Sequence, residues 1–251
     1  MNMNLKETKT RFLTPTQIAM TAINAALYAT IGIMTFFGIF APPPIGVVRF
    51  WPVVVIPGIF ATLFGPWVGG IGAAIGIFAS DMVVHGNVLL SVTVGVPSNF
   101  LGFYLLGYIA RKEINLRKLA VVLAIGVLII IGGIYSIVAY LPETFEFTGL
   151  STTDSILLFL AAVGGSYALI IIIASLWPEW KSYGVASVIG LGVGSAIIGI
   201  GLVAYLNTPF YYSLLWFIWV FTTEIPFLLL LGPPILKACY RAFPSLAPAE
   251  K

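Results

Sequence analysis

Asp81, His85, Asn99, Glu224 and Arg49 are side chains with chemistry to offer that stand in otherwise apolar surroundings. Asp81 and His85 are four residues apart, so on a helix they share a face, where an imidazole and a carboxylate can hydrogen-bond. Arg49 and Asp81 lie sixteen residues before and sixteen after Gly65, which with Pro66 forms a tight turn. If both arms are helical, each climbs about 24 Å from that turn, and opposite charges arrive at one level. The pair is then either an ion pair anchoring a hairpin or part of a recognition site. Glu224, in "FTTEIPF", is the most expensive residue in the chain, about 2.5–3.5 kcal/mol on insertion scales for a charge at a helix centre. It is a protonated acid bonded to a neighbouring helix, a ligand contact or a proton site.

Asn99, in "TVGVPSNF", and Glu224 each lie beside a proline. Pro97 and Pro226 free the carbonyls four residues earlier, Thr93 and Thr222, and in lipid such a group needs a protein or solvent partner. Both breaks predict a cavity or a close polar contact. Counted from Asn87 and Tyr211, Asn99 and Glu224 lie at similar depths, about 18–20 Å from one edge. Tyr211, Tyr212, Trp216 and Trp219 precede Glu224 and would wall an aromatic pocket or anchor the helix at an interface.

Other chemistry is excluded. His85 is the one histidine and Cys239 the one cysteine, so no multi-histidine or cysteine zinc site and no internal disulfide can form. There is no GxxxxGK[ST] loop for phosphates and no esterase or protease nucleophile motif. No catalytic residue, metal or cofactor is expected, and no enzymatic activity. The basic residues are scattered through short connections and form no groove for nucleic acid.

The elements that must position these groups are membrane helices. The chain is 60% hydrophobic and 8% charged, with a mean hydropathy of +1.06, far from a soluble domain. Apolar runs cover residues 17–40, 47–64, 66–84, 88–110, 119–141, 153–177, 185–206 and 212–238, each near the ~20 residues that a bilayer demands. They lack the alternation of a membrane strand. The fold is therefore expected to be an all-α bundle of about eight spans, one transmembrane domain with short tails at 1–16 and 239–251. With an even span count, eleven of the twelve basic residues fall on one side, which places both termini in the cytoplasm. Arg49 is the exception, on the outer face. The setting implied is the cell membrane, with lipid as solvent.

The stretch "GPWVGGIGAAIGIFASD" carries Gly65, Gly69, Gly72 and Gly76 on one helical stripe, a face on which another backbone can approach closely. Span one, "AINAALYA", has Ala22 with Ala26 and Ala25 with Ala29 at the same small-residue spacing.

The segment "RFWPVVVIPGIFATLFGPWVGGIGAAIGIFASD" resembles the second and third helices of the substrate-binding S components of energy-coupling-factor (ECF) vitamin transporters. In that family an arginine-led helix turns at Phe-Gly-Pro into a glycine-rich helix ending on an acid, here Arg49, Phe64-Gly65-Pro66 and Asp81. The resemblance covers roughly residues 17–112. It implies capture of a small vitamin-like nutrient, with ATP-driven uptake through a separate coupling subunit and cytoplasmic ATPases. It also implies that Ala22, Ala26 and Ala29 contact the coupling subunit, and that a six-helix core lies within the bundle. The residues that would line or gate the site are Arg49, Asp81, His85, Asn99, Trp216 and Glu224. Two other readings stay open: a self-sufficient secondary transporter that binds protons or cations through Glu224, and a non-transporting membrane scaffold.

Overall fold

The computed structural model describes residues 13–36, 51–115, 178–208, 210 and 212–247, with scattered helical positions between 117 and 176. Among them are six apolar helices and no strand. Helix α1 is Pro15–Met34, and α2 is Val55–Phe64, entered through a single 3₁₀ turn at Pro52–Val54. Helix α3 is Pro66–Val84, α4 is Val88–Ala110, α5 is Lys181–Leu206 and α6 is Tyr212–Ala242. Five of these, all but α2, are long and apolar enough to cross a membrane. The expected spans at 119–141 and 153–177 lie largely outside the described residues.

Local chemistry sets the boundaries. Thr14 caps α1 by accepting from the Gln17 backbone N–H while Gln17 reaches back to Thr14, with Pro15 in the first turn. Gly65 joins α2 to α3 in one residue at φ +110, a conformation that only glycine adopts without strain. Asn87 opens α4 by accepting from the Leu90 N–H at 3.0 Å. The expected span at 47–64 is corrected: the helical stretch is Pro52–Phe64, about 20 Å long and too short to cross by itself. Trp51, ahead of the proline, is not helical, because Pro52 disfavours the helical conformation in the residue before it. The continuous helix that would lift Arg49 sixteen residues above the turn is therefore interrupted, and Arg49 itself lies outside the described residues. The bundle also runs past 238, since α6 continues to Ala242.

The described helices form a ring: α1 packs on α3, α3 on α4, α4 on α5 and α5 on α6, and α2 bridges α6 to α1 while also touching α3 and α4. The glycines of α3 serve several neighbours. A Cβ on Gly76 would stand 2.9 Å from the Ala25 carbonyl and from Tyr28 of α1, and one on Gly70 would stand 2.9 Å from the Phe100 carbonyl of α4. Gly72 lies against Asn24, whose amide donates to the Val68 carbonyl at 3.0 Å. Helices α4 and α5 meet where Gly102 and Gly190 face each other, a Cβ on Gly190 falling 2.5 Å from the Gly102 carbonyl. In lipid such close contact, with its dispersion energy, replaces the hydrophobic drive of water.

Outside the ring, large apolar side chains are exposed on every long helix, among them Ile23, Ile75, Leu101, Ile200 and Leu230. A soluble surface does not carry apolar side chains all round its circumference. Together with the five spans, this defines a multi-pass helical membrane protein.

One end of the bundle is marked by Arg111, just beyond α4. Its Nη2 donates to the Leu63 carbonyl at 2.9 Å and its Nε to the Thr62 carbonyl at 3.4 Å, capping the C-terminus of α2 with a cation. Burial lowers the pKa of this guanidinium, with Tyr240 acting in the other direction; it stays charged at neutral pH. Gln17 donates to the Phe64 carbonyl here, and Trp180 stacks on Tyr240 at 6.3 Å. The start of α1, the Gly65 turn, the end of α4, the start of α5 and the end of α6 therefore share this end. Arg111→Ala is expected to cost about 1 kcal/mol of stability, with Arg111→Lys recovering part of it. Thermal unfolding of the purified variants in detergent measures this, and equal midpoints for Arg111→Ala and wild type would remove the capping role.

Candidate functional site: a polar cavity within the helix ring

Toward the opposite end a cavity of about 120 Å³ opens between α1, α3, α4, α5 and α6. It is shaped by a fault in α4. Pro97 has no N–H to give to the Thr93 carbonyl, and over Ser91–Gly95 the helix widens into a π turn, with the Val96 N–H reaching the Ser91 carbonyl. The Gly95 carbonyl then accepts from Ser98 Oγ at 2.8 Å and from Asn99 Nδ2 at 2.9 Å. Gly95 also stands against Asp81, where a Cβ would lie 2.9 Å from Oδ2. At the second proline α6 runs on as one helix through Pro226, and Glu224, two residues before it, lines the cavity. The Thr222 and Thr223 hydroxyls donate to the Ile218 and Trp219 carbonyls in the turn before Pro226.

Asp81 is 5% exposed. It accepts from Ser91 Oγ at 2.7 Å, and His85 Nε2 lies 3.3 Å from its other oxygen. His85 Nδ1 accepts from the Asn87 N–H at 3.1 Å, which leaves Nε2 to carry the proton toward Asp81 in the neutral ring. Asn87 Nδ2 donates to the Tyr205 hydroxyl at 2.6 Å, so the loop after α3 is tied to the end of α5 at the rim.

A second relay crosses the cavity wall. Trp51 Nε1 donates to the Tyr28 hydroxyl at 2.8 Å, and that hydroxyl donates to Asn99 Oδ1 at 2.7 Å. The Tyr28 ring meets Trp51 edge-on at 6.0 Å and Phe103 at 6.2 Å. Three aromatic side chains from α1, the start of α2 and α4 are thereby held against the polar floor.

Glu224 faces this cavity from α6 and is 7% exposed. Ser195, from α5, lines it too, fully buried and with no hydrogen-bond partner for Oγ.

The fold thus brings together Asp81, His85, Asn99 and Glu224 from three helices and one helix end. Trp216 is not at the cavity. It packs behind the wall with Leu90, Val94, Leu202 and Val220, so the aromatic wall predicted from the start of α6 is supplied instead by Tyr28, Trp51 and Phe103. Tyr211 lies outside the described residues. Sequence reasoning missed Tyr28, Trp51, Ser91 and Ser195. For Tyr28 there was a signal: Thr21, Asn24 and Tyr28 form a polar stripe at helical spacing on α1, and all three are buried. Of the small residues on α1, Ala22 and Ala26 are exposed, whereas Ala29 is buried and is not available to a partner chain.

Fold and site together define a multi-pass membrane protein with a mixed polar and aromatic cavity inside its helix ring. No family model, no curated protein and no solved structure matches this chain.

Proposed function

We propose that the chain is the membrane-embedded, substrate-binding S component of an ECF-type uptake system in the cell membrane, a binder and not an enzyme. The observation that carries this is the cavity in which Asp81, His85, Asn99 and Glu224 converge, a largely apolar space with a few polar groups placed to orient a small molecule. Arg111, Lys112, Lys181, Lys237 and Arg241 group around the far end of the bundle. By the rule that basic residues stay inside, this opens the cavity toward the outer half of the membrane. Five of the six helices among the described residues line it, with Trp51 and Val54 ahead of α2 completing the wall. The exposed Ala22 and Ala26 on α1 suit close packing of a coupling subunit's helix, and that subunit with two ATPases supplies the energy.

Purification from native membranes in mild detergent tests this: a transmembrane coupling subunit and ATPases should accompany the chain. Ala26→Phe is expected to remove most of the co-purified partner while leaving ligand-dependent thermal stabilisation intact. A wild-type chain that arrives alone, or an Ala26→Phe variant that retains the partner in full, argues against the reading.

Glu224, a carboxyl group at a cavity within a span, also fits a proton- or cation-coupled transporter. That alternative is weakened by α6, which is continuous through Pro226, where such transporters place unwound helices at their ion sites. Gradient-driven uptake by the purified chain in proteoliposomes, lost in Glu224→Gln, would favour it. A scaffold without a ligand predicts no thermal stabilisation by any small molecule.

A further inference from the structure

Hydrogen bonds are distributed unevenly around the cavity. On the α1 side the Trp51 indole, the Tyr28 hydroxyl and the Asn99 amide satisfy one another. On the α3 side Asp81 is served by Ser91 and His85, and His85 by Asn87. Across from them Glu224 has no hydrogen bond or ion pair among the described residues, at 7% exposure. Ser195 Oγ is fully buried and equally unpartnered. Both line the same space. A buried carboxyl group without a protein partner carries an uncompensated desolvation cost, and what offsets it is a group that brings donors or positive charge.

The remainder of the wall agrees in sign. Among the described lining residues there is no lysine or arginine, and the one imidazole is held between Asp81 and Asn87. Tyr28, Trp51 and Phe103 form the aromatic part of the lining, and aromatic rings attract cations and stack on flat heterocycles. The size is also restrictive: about 120 Å³ compares with the ~150 Å³ cavity that accepts one benzene molecule.

Building on the reading of the chain as a ligand-capturing subunit, we infer that the cavity takes a cationic, donor-rich organic molecule of one ring. Its ammonium, amidinium or protonated ring nitrogen pairs with Glu224, a neighbouring polar group reaches Ser195 Oγ, and the ring lies against Tyr28 and Trp51. A carboxylate or phosphate ester of the same size is disfavoured, because its charge would meet Glu224 and Asp81, and no lysine or arginine among the described lining residues receives it.

The test uses the full chain in detergent or nanodiscs and four probes on one frame: benzamidine and benzylamine as cations, benzyl alcohol as the neutral form and benzoate as the anion. Thermal unfolding and ligand-observed NMR give the affinities. Benzamidine and benzylamine should raise the unfolding midpoint, and benzoate at equal concentration should not. Glu224→Gln should weaken benzamidine roughly tenfold or more, the loss of one charge-assisted hydrogen bond. Ser195→Ala should weaken it a few-fold and serves as the second variant if Glu224→Gln does not fold. Benzoate binding as well as benzamidine, an unchanged affinity in both variants, or no binding by either cation each overturns the inference. Those results leave the S-component reading to be judged separately, by co-purification of the coupling subunit.

Discussion

Gly76→Val is expected to destabilise the bundle by about 3 kcal/mol, the upper part of the usual overpacking range. The reason is the identity of the neighbours. A Cβ at this position would stand 2.9 Å from the Ala25 carbonyl oxygen and 2.9 Å from Cβ and Cδ1 of Tyr28. None of these is the free end of a flexible side chain, so α1 and α3 must move apart along a contact held in lipid by close packing and by the Asn24–Val68 hydrogen bond. Because Tyr28 also bonds Asn99, the same substitution should reduce ligand-dependent stabilisation. Ile75→Ala is the control: Ile75 is the adjacent residue but faces outward at 52% exposure, and its replacement should stay within about 0.5 kcal/mol. Thermal or SDS unfolding of both variants measures the difference. Similar losses at 75 and 76 would mean that the close approach of α1 and α3 is not what stabilises this pair.

Tyr28→Phe is expected to have the next largest effect, about 1–3 kcal/mol, although it deletes a single oxygen. The ring keeps its edge contacts with Trp51 and Phe103, so packing is preserved. What is lost is the acceptor for Trp51 Nε1 and the donor to Asn99 Oδ1, both inside the protein, where unpaired polar groups bear their full desolvation cost. The relay also makes a prediction about coupling. Tyr28→Phe and Asn99→Leu combined should cost less than the sum of the single changes, by about 0.5–3 kcal/mol, as expected for residues in one network. Strict additivity would show that the hydroxyl and the amide act independently and would detach Tyr28 from the site.

Much of this architecture was legible before any coordinates. The runs at 66–84 and 88–110 are α3 and α4 to the residue, because Gly65-Pro66 and Asn87 are local stop and start signals that need no tertiary help. Helical spacing placed Asp81 beside His85, and the missing N–H of Pro97 pointed to a polar contact in α4, which the structure places at the Gly95 carbonyl and not at Thr93. Local logic did not distinguish how the two helices accommodate their prolines or which way each aromatic side chain turns. Pro97 distorts its helix into a π turn whereas Pro226 leaves α6 continuous. Trp216, polar-tipped and near Glu224 in sequence, turned into an apolar cluster behind the cavity.

By itself, then, the amino-acid order determined the solvent, the helical class, the helix ends and the residues too polar to face lipid. Periodicity and hydropathy express such properties within one segment. Only the tertiary structure decided that Asp81, Asn99 and Glu224 look into one space, that Tyr28 and Trp51 complete its wall, and that Ala29 turns inward while Ala26 does not. Those outcomes depend on how each helix is rotated and which neighbour it meets. In a membrane that is set by close contact between surfaces far apart in the chain, such as Gly76 on Tyr28 and Gly102 on Gly190, because lipid offers no hydrophobic gradient to orient a helix that is apolar all round.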